Sequence, residues 1–470
     1  MLIEPVPVQP VAHLKAAHFI AAGGAGMSGI AQLFAESGVR VTGSDQVDSA
    51  ALRALSTAGV TVFVGHEASH VGDVDVVVVS SAIKPGNVEL VEARRRGIPV
   101  WHRSAALASL MLHRTGVSVT GTHGKTTTSG MAAVLLATAR LDPSYVIGSP
   151  LAGSGATAHL GSGDAFVVEA DESDGSFLQY PTAIAVVTNI EADHLDNWGT
   201  PHAYATGFRT FATAPGVRSV VVGIDDPGAA ALAADVRRAG GRVVTYGESA
   251  AAEIRLVDPS FDGAAAEATI LSPAGRHQVR LRVPGRFNLQ NAAAAFAVGL
   301  ELGADPDLLV AGAAAFAGTL RRFQPVGEID GVRIFDDYAH HPTEVAATLT
   351  AARVVAGRGR VVACFQPHLY SRTRDFAAEF GRALAPADLV VVTDVYGARE
   401  EPMPGITGRL VADAATEAGS RHVTYVAGLD DVPAALAALV RPGDVVLTLG
   451  AGNVTRVGPE TAALLAGRRP

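Results

Sequence analysis

Gly121-Thr122-His123-Gly124-Lys125-Thr126-Thr127-Thr128 stands directly after the β-branched run at residues 117–120 and before a helical pattern from Ser129. A strand, a glycine-rich loop and a helix in that order make a phosphate cradle. The glycines let backbone N–H groups approach phosphate oxygens, and the helix N-terminus adds positive potential. Lys125 reaches the outer phosphates, and the Thr126 hydroxyl offers an oxygen to Mg²⁺. Working outward, the same alternation of short β-branched runs and alanine-rich amphipathic stretches recurs at Val76–Val79, 166–168, 184–187, Val361–Phe365, 389–393 and Val445–Leu449. That rhythm predicts an α/β fold with parallel sheets.

At 470 residues, with 48% in the hydrophobic set and 18% charged, the chain has the size of about three folded domains. Breaks in the pattern at 112–116 and 319–326 divide it into three parts, 1–114, 115–322 and 323–470. Within the central part, the alternation between 253 and 284 predicts a small antiparallel appendage. The single cysteine, Cys364, allows no internal disulfide, which fits a reducing cytoplasm. A net charge of -9 with scattered basic residues gives no footprint for a nucleic acid. Residues 16–27 are apolar but carry His18 and glycines and lack a basic flank, so they predict a buried strand and turn; no stretch is long enough to span a membrane. Only Lys15, Lys84 and Lys125 are lysine among 37 basic residues. A lysine kept against such an arginine bias marks a place where a planar guanidinium does not serve.

The other unusual clusters also follow predicted strands, where ligands gather in sheets of this kind. Glu169 opens Glu-Ala-Asp-Glu-Ser-Asp and offers a hard oxygen to Mg²⁺, with a solvated acidic loop as the alternative. The next strand ends in residues 188–196, which hold His194 among carboxylates, with a surface capping turn as the alternative. Residues 335–344 contain Asp337, His340 and His341, adjacent histidines that make a poor zinc motif and suit substrate or nucleotide contacts better. Residues 365–372 place His368 and Arg372 after a strand, where an arginine clamps a phosphate or carboxylate; a helix-capping turn is the alternative. Near the amino terminus, Gly24-Ala25-Gly26-Met27-Ser28-Gly29 with Asp45 about 20 residues on follows the dinucleotide fingerprint. Alone it suggests an NAD-dependent oxidoreductase. Beside a separate triphosphate cradle, a diphosphate-bearing substrate at the first turn and ATP at the second account for both. With no nucleophile elbow or activated cysteine, phosphoryl transfer by positioning and charge neutralisation remains.

Together these motifs resemble the ATP-dependent Mur ligases of peptidoglycan synthesis, over almost the whole chain and most closely those that join L-alanine to UDP-N-acetylmuramate. The resemblance rests on residues 24–29, 121–128, 169–174, 188–196, 285–291, 316–323, 335–344, 365–372 and 396–405. It implies a Rossmann-like amino-terminal domain for the UDP-sugar (1–114), a central P-loop ATPase-type domain (115–322) and a Rossmann-like carboxyl-terminal domain that receives the amino acid (323–470). It also implies attack of a lactyl carboxylate on the γ-phosphate of ATP, giving an acyl phosphate and ADP, then displacement of phosphate by the amine. It further implies that Gly121, Thr122, His123, Gly124, Lys125, Thr126 and Thr127 cradle ATP with Asn291 at adenine, Arg322 at the phosphates and Asp337 at the ribose. Thr126 and Glu169 hold one Mg²⁺ and His194 helps hold a second. Gly24, Gly26, Met27, Ser28 and Gly29 with Asp45 and Ser81 line the UDP-sugar site, and His340, His368 and Arg372 contact substrate and intermediate. Two positions depart from the family pattern: Phe287 where a His is usual, and Leu369 where many members have Arg. Several family members carry a carbamylated lysine after the Asp-His motif. Here no lysine follows Lys125, and residues 202–211 offer only Arg209. A recycling ligase that attaches a preformed peptide to the same UDP-sugar shares these motifs.

Overall fold

The β-branched runs build three sheets in the computed structural model, which describes residues 2–398 and 400–467. The first runs Thr61–Val64, Arg40–Asp45, Ala16–Ile20, Val76–Val79, Val100–His102, all parallel. Strand order reverses between Ala16–Ile20 and Val76–Val79. Their carboxyl ends therefore flank a topological switch point, and the glycine turn at 21–24 and Ser81 emerge beside it. Residues 16–20 are the buried strand expected, and the turn after it leads into the helix Ala25–Glu36.

The second sheet has ten strands. At its centre Thr115–Thr120 lies between Ala165–Glu169 and Thr182–Val187, parallel to both. Three loops thus leave the same end side by side: the glycine loop, the acidic segment after Glu169 and the segment after Val187. Outward from Thr182–Val187 follow Ser219–Gly223 and Val243–Gly247, both parallel. The expected appendage joins this sheet at its edge, with its first strand parallel to its neighbour rather than antiparallel. Ile254–Asp262 pairs with Val243–Gly247, and Ala265–Ser272 and Gly275–Leu281 complete the edge, because the alternating pattern continues the ladder. On the far side Ser144–Val146 is parallel to Ala165–Glu169, and Ala158–His159 closes the sheet antiparallel.

The third sheet runs Gln324–Ile329, Val332–Asp337, Val445–Leu449, Val361–Phe365, Leu389–Val392, Val423–Tyr425, with only the first strand antiparallel. Its four inner strands are almost wholly buried, as expected of parallel strands covered by helices on both faces, while the two edge strands are part-exposed. By contacts the chain forms two compact units. One runs to Val257 and regains residues 269–278 and 290–315; the other holds 258–268, 279–289 and everything from Phe316 on.

Helix starts follow local chemistry. Ser49, Asn87, Thr200 and Asp226 cap with their side chains, and Pro201 and Pro227 occupy the first helical positions. The helix after the glycine loop is Lys125–Thr138, four residues earlier than its hydrophobic pattern suggests. Its first turn is made of threonines, whose polarity hides the periodicity although their side chains are buried.

Candidate active site

The glycine loop needs glycine at both ends. Gly121 has φ 131°, and a Cβ there would lie 2.0 Å from Thr188 Oγ1. Gly124 has φ 83°, and its Cβ would come within 2.9 Å of Asn291 Oδ1. Asn291 is buried and accepts a hydrogen bond from Thr128 Oγ1 at 3.1 Å, so the helix Arg286–Glu301 brings it against the loop. The loop is braced from the neighbouring strand. Asn189 Oδ1 accepts from the His123 N–H at 2.8 Å, Asn189 Nδ2 and Thr188 Oγ1 both donate to the His123 carbonyl, and Thr122 Oγ1 donates to the Glu191 carbonyl. His123 Nε2 lies 3.0 Å from Glu191 Oε2.

Lys125 donates to the Gly121 carbonyl at 2.7 Å and reaches both oxygens of Glu172, at 3.0 and 2.9 Å. Glu172 is fully buried. Burial pushes its carboxyl up to about 7, against the pull of the Lys125 ammonium and with the Asp171 carboxylate adding to the rise. Lys125 is partly buried, and desolvation favours losing its proton, but Glu172, Asp171 and Glu169 outweigh that and raise its pKa. Thr126 Oγ1 donates to Glu169 Oε1 at 2.9 Å, while Glu169 Oε2 accepts from the Gly148 N–H at 2.6 Å. Hydroxyl and carboxylate therefore face each other at the first turn of the helix, the hard-oxygen pair a magnesium ion prefers. His194 begins a one-turn helix from a left-handed conformation, φ 53°, with Nε2 3.5 Å from Asp193 Oδ2 and 3.9 Å from Glu172 Oε1. Lys125, Thr126, Glu169 and His194 thus surround one acidic segment.

The sequence reading passed over Glu172 in favour of Glu169. Tyr204 was missed as well, although its hydroxyl lies 3.1 Å from Thr122 Oγ1 and 3.4 Å from Glu172 Oε1. Trp198 Nε1 donates to the Glu172 carbonyl at 2.9 Å and fixes that segment from the far side. Four carboxylates in six residues hid which one turns inward.

In the amino-terminal sheet, Asp45 Oδ2 accepts from the Gly23 N–H at 3.0 Å, joining the glycine turn to the end of Arg40–Asp45. Gly26 lies under Arg103, whose Nη1 would be 2.9 Å from a Cβ there; Gly29 packs on Ala158. Arg103 pairs with Asp171 at 3.1 Å. Ser81 Oγ donates to Asp174 Oδ2 at 3.1 Å and lies 3.1 Å from His102 Nε2. Burial, with Arg103 adjacent, pushes His102 down to about 4. The expected Gly24–Gly29 and Ser81 site thus abuts the acidic segment that grips Lys125. The Met27 side chain is an exception to the expected lining: it lies in the hydrophobic core, 2% exposed, because Met27, Ile30, Ala31 and Phe34 form the buried helix face.

The carboxyl-terminal unit brings its own candidates together. Asp337 is buried, with its two oxygens accepting from the Phe323 and Ala339 N–H groups at 2.7 and 2.8 Å; burial pushes it up to about 6 despite Arg322. Arg321 and Arg322 lie 4.8 and 5.2 Å from the Tyr338 ring, in a turn where Arg321 and Phe323 both have positive φ. His340 contacts the His368 ring edge to face at 5.7 Å, and burial pushes its imidazole down to about 3. His368 in turn stacks on Tyr396 at 5.9 Å. Leu369 takes φ 69° immediately before the helix Tyr370–Leu384, which holds Arg372 in its first turn. Positive φ at bulky residues costs about 1–3 kcal/mol and concentrates at functional sites. Phe287 packs against the core of this unit, an apolar contact where the family pattern has a polar ring.

Comparison with known proteins agrees with this arrangement. Three family models match in order: Mur ligase family, catalytic domain at residues 16–115; Mur ligase middle domain at 119–299; and Mur ligase, glutamate ligase domain at 321–452. A UDP-N-acetylmuramate–L-alanine ligase of Cutibacterium acnes is 61% identical over 99% of this chain and 98% of its own. One of Kineococcus radiotolerans is 54% identical over 98% of each. The crystal structure of the UDP-N-acetylmuramate–alanine ligase of Thermotoga maritima superposes with a TM-score of 0.80 at 28% identity, covering 97% of this chain and all of that one. The chain belongs to the Mur ligase family.

Proposed function

We propose that this protein joins L-alanine to UDP-N-acetylmuramate at the expense of ATP, releasing ADP and phosphate, as a cytoplasmic step of peptidoglycan synthesis. Its full-length similarity to alanine ligases supports that substrate choice over a preformed peptide. Among the described residues no helix is long and apolar enough to cross a membrane. The observation that carries the reading is the pairing of Lys125 with the buried Glu172 at the mouth of a glycine loop, with the UDP-sugar turn reaching the same acidic segment through Arg103 and Ser81.

The lactyl carboxylate attacks the γ-phosphorus and ADP leaves; the amine of L-alanine then attacks the acyl carbon, and inorganic phosphate departs with formation of the amide. Lys125, a point charge fixed by Gly121 and Glu172, serves the negative charge on the transferring phosphoryl group. Loop N–H groups of residues 121–127 bind phosphate oxygens, and Asn291, lodged against Gly124, takes the base side. Thr126 and Glu169 would hold one Mg²⁺, with His194 beside a second; such ions neutralise phosphate charge when bound. Gly24–Gly29, Asp45 and Ser81 take the UDP-sugar, Met27 through its backbone alone. In the carboxyl-terminal unit, Arg322 and Asp337 serve the nucleotide and His340, His368 and Arg372 serve the substrate. A neutral His340 suits hydrogen bonding to a carboxylate or an amine rather than charge pairing. The NAD-dependent oxidoreductase reading leaves the Lys125 loop without a use.

Lys125→Ala tests the assignment. Turnover should fall at least ~10³-fold with the circular-dichroism spectrum unchanged, and Lys125→Arg should be nearly as inactive because a planar fork does not fit a point-charge site. Near-normal turnover in folded Lys125→Ala would overturn the ATP assignment.

A further inference from the structure

Glu89 lies outside every motif used so far. It sits in the first turn of the helix Val88–Arg95 and is completely buried, and the ion pairs of its carboxylate among the described residues are all with histidines. Oε2 accepts from Ser44 Oγ at 2.5 Å and lies 3.0 Å from His66 Nδ1 and 3.5 Å from His18 Nε2. Oε1 lies 3.0 Å from His70 Nδ1 and accepts from the Glu67 N–H at 3.3 Å. His18 belongs to the central strand of the amino-terminal sheet and hydrogen-bonds Thr42 Oγ1 at 2.7 Å. His66 and His70 follow the outer strand, with His70 stacked on Phe63 at 4.1 Å. Burial works against the charge, and the His18, Ser44 and His70 side chains more than offset it, holding the Glu89 carboxyl near 2.

An ionised carboxylate in this position costs several kcal/mol of desolvation, so it persists where it organises something. What it organises is the carboxyl end of Arg40–Asp45. Ser44 Oγ donates to Glu89, the Ser44 carbonyl accepts from Ala22 N–H in the glycine turn, and the next residue, Asp45, binds the Gly23 N–H. The Asp45 carbonyl also accepts from Gly65, which leads into the loop carrying His66 and His70. In folds of this class the acidic residue at the end of the second strand meets the ribose of the bound nucleotide. We infer that Glu89 is a positioning residue for the nucleoside end of the UDP-sugar, acting through Ser44 on Asp45 and through His66 and His70 on the neighbouring loop. The inference rests on the UDP-sugar reading of the amino-terminal sheet.

The test is steady-state kinetics and calorimetric titration with UDP on wild type, Glu89→Gln, Glu89→Asp and Ser44→Ala, each checked for folding by circular dichroism. Losing one charge-assisted hydrogen bond at this position predicts a ~10-fold rise in the KM for UDP-N-acetylmuramate and in the Kd for UDP in Glu89→Gln. The kcat and the KM for ATP should stay within ~2-fold. Ser44→Ala should show part of the same rise even if Glu89→Gln does not fold, and Glu89→Asp should recover part of it. Unchanged UDP affinity in folded Ser44→Ala or Glu89→Gln, or a kcat that falls together with both affinities, would overturn the inference. Wild type that binds UDP but gives no turnover with UDP-N-acetylmuramate would instead refute the proposed function and leave the positioning role standing.

Discussion

Replacing Glu172 by Gln removes the most perturbed carboxyl beside Lys125 and changes how stability depends on pH. An ordinary glutamate titrates at 4.5, and burial moves this one to about 7. Below pH 4.5 folded and unfolded chains both hold the proton; between 4.5 and 7 only the folded chain does. The contribution of Glu172 is therefore largest at low pH and is lost as pH rises through 7, by about 3 kcal/mol in all. Between pH 5 and 8 the stability difference between wild type and Glu172→Gln should shrink by about 2–3 kcal/mol. Urea unfolding at several pH values measures it, with Trp198 fluorescence as the probe because its indole N–H binds the Glu172 carbonyl. The subtraction matters because other groups titrate nearby. Burial raises Asp337 to about 6, so it adds a loss in the same direction. His102, lowered to about 4, contributes stability that is present above 6.5 and lost as pH falls towards 4. A difference that is flat across this range, or that grows with pH, would refute the reasoning.

Gly148→Ala should raise the Mg²⁺ concentration for half-maximal activity several-fold, since its Cβ would lie 2.5 Å from Glu169 Oε2 and displace that carboxylate from Thr126; a magnesium titration of activity checks this. Removing dissolved CO₂ and bicarbonate should leave turnover unchanged, because the helix Pro201–Ala212 carries only the exposed Arg209, which stays protonated and forms no carbamate. A reversible loss on degassing would contradict this. Gly124→Ala should abolish ATP binding, measured by calorimetry, because the loop needs φ 83° there and the added Cβ meets Asn291.

The parts of this molecule that were legible in sequence are those written in consecutive residues. The glycine loop and its helix are contiguous, and the parallel strands announce themselves as β-branched runs, so the α/β architecture and Lys125 could be named directly. Glu172 was hidden because three other carboxylates share its segment, and only the approach of Trp198 and Tyr204 from two successive later helices decides which one is enclosed. Met27 lies within the glycine fingerprint, yet helical spacing with Ile30 and Phe34 turns its side chain into the core. The alternation at 253–284 revealed strands but not their partner, since alternation alone does not say whether such strands stand apart or join the edge strand that precedes them. Glu89 shows the same principle: its three histidines come from positions 18, 66 and 70, and nothing local connects them.

Phosphate release measured with ATP and UDP-N-acetylmuramate, against each common amino acid and against a tripeptide, tests the central claim most directly. The account predicts release that requires both UDP-N-acetylmuramate and L-alanine and that disappears in Lys125→Ala. Release supported by the tripeptide and not by L-alanine, or no release with any acceptor from folded wild type, would contradict it.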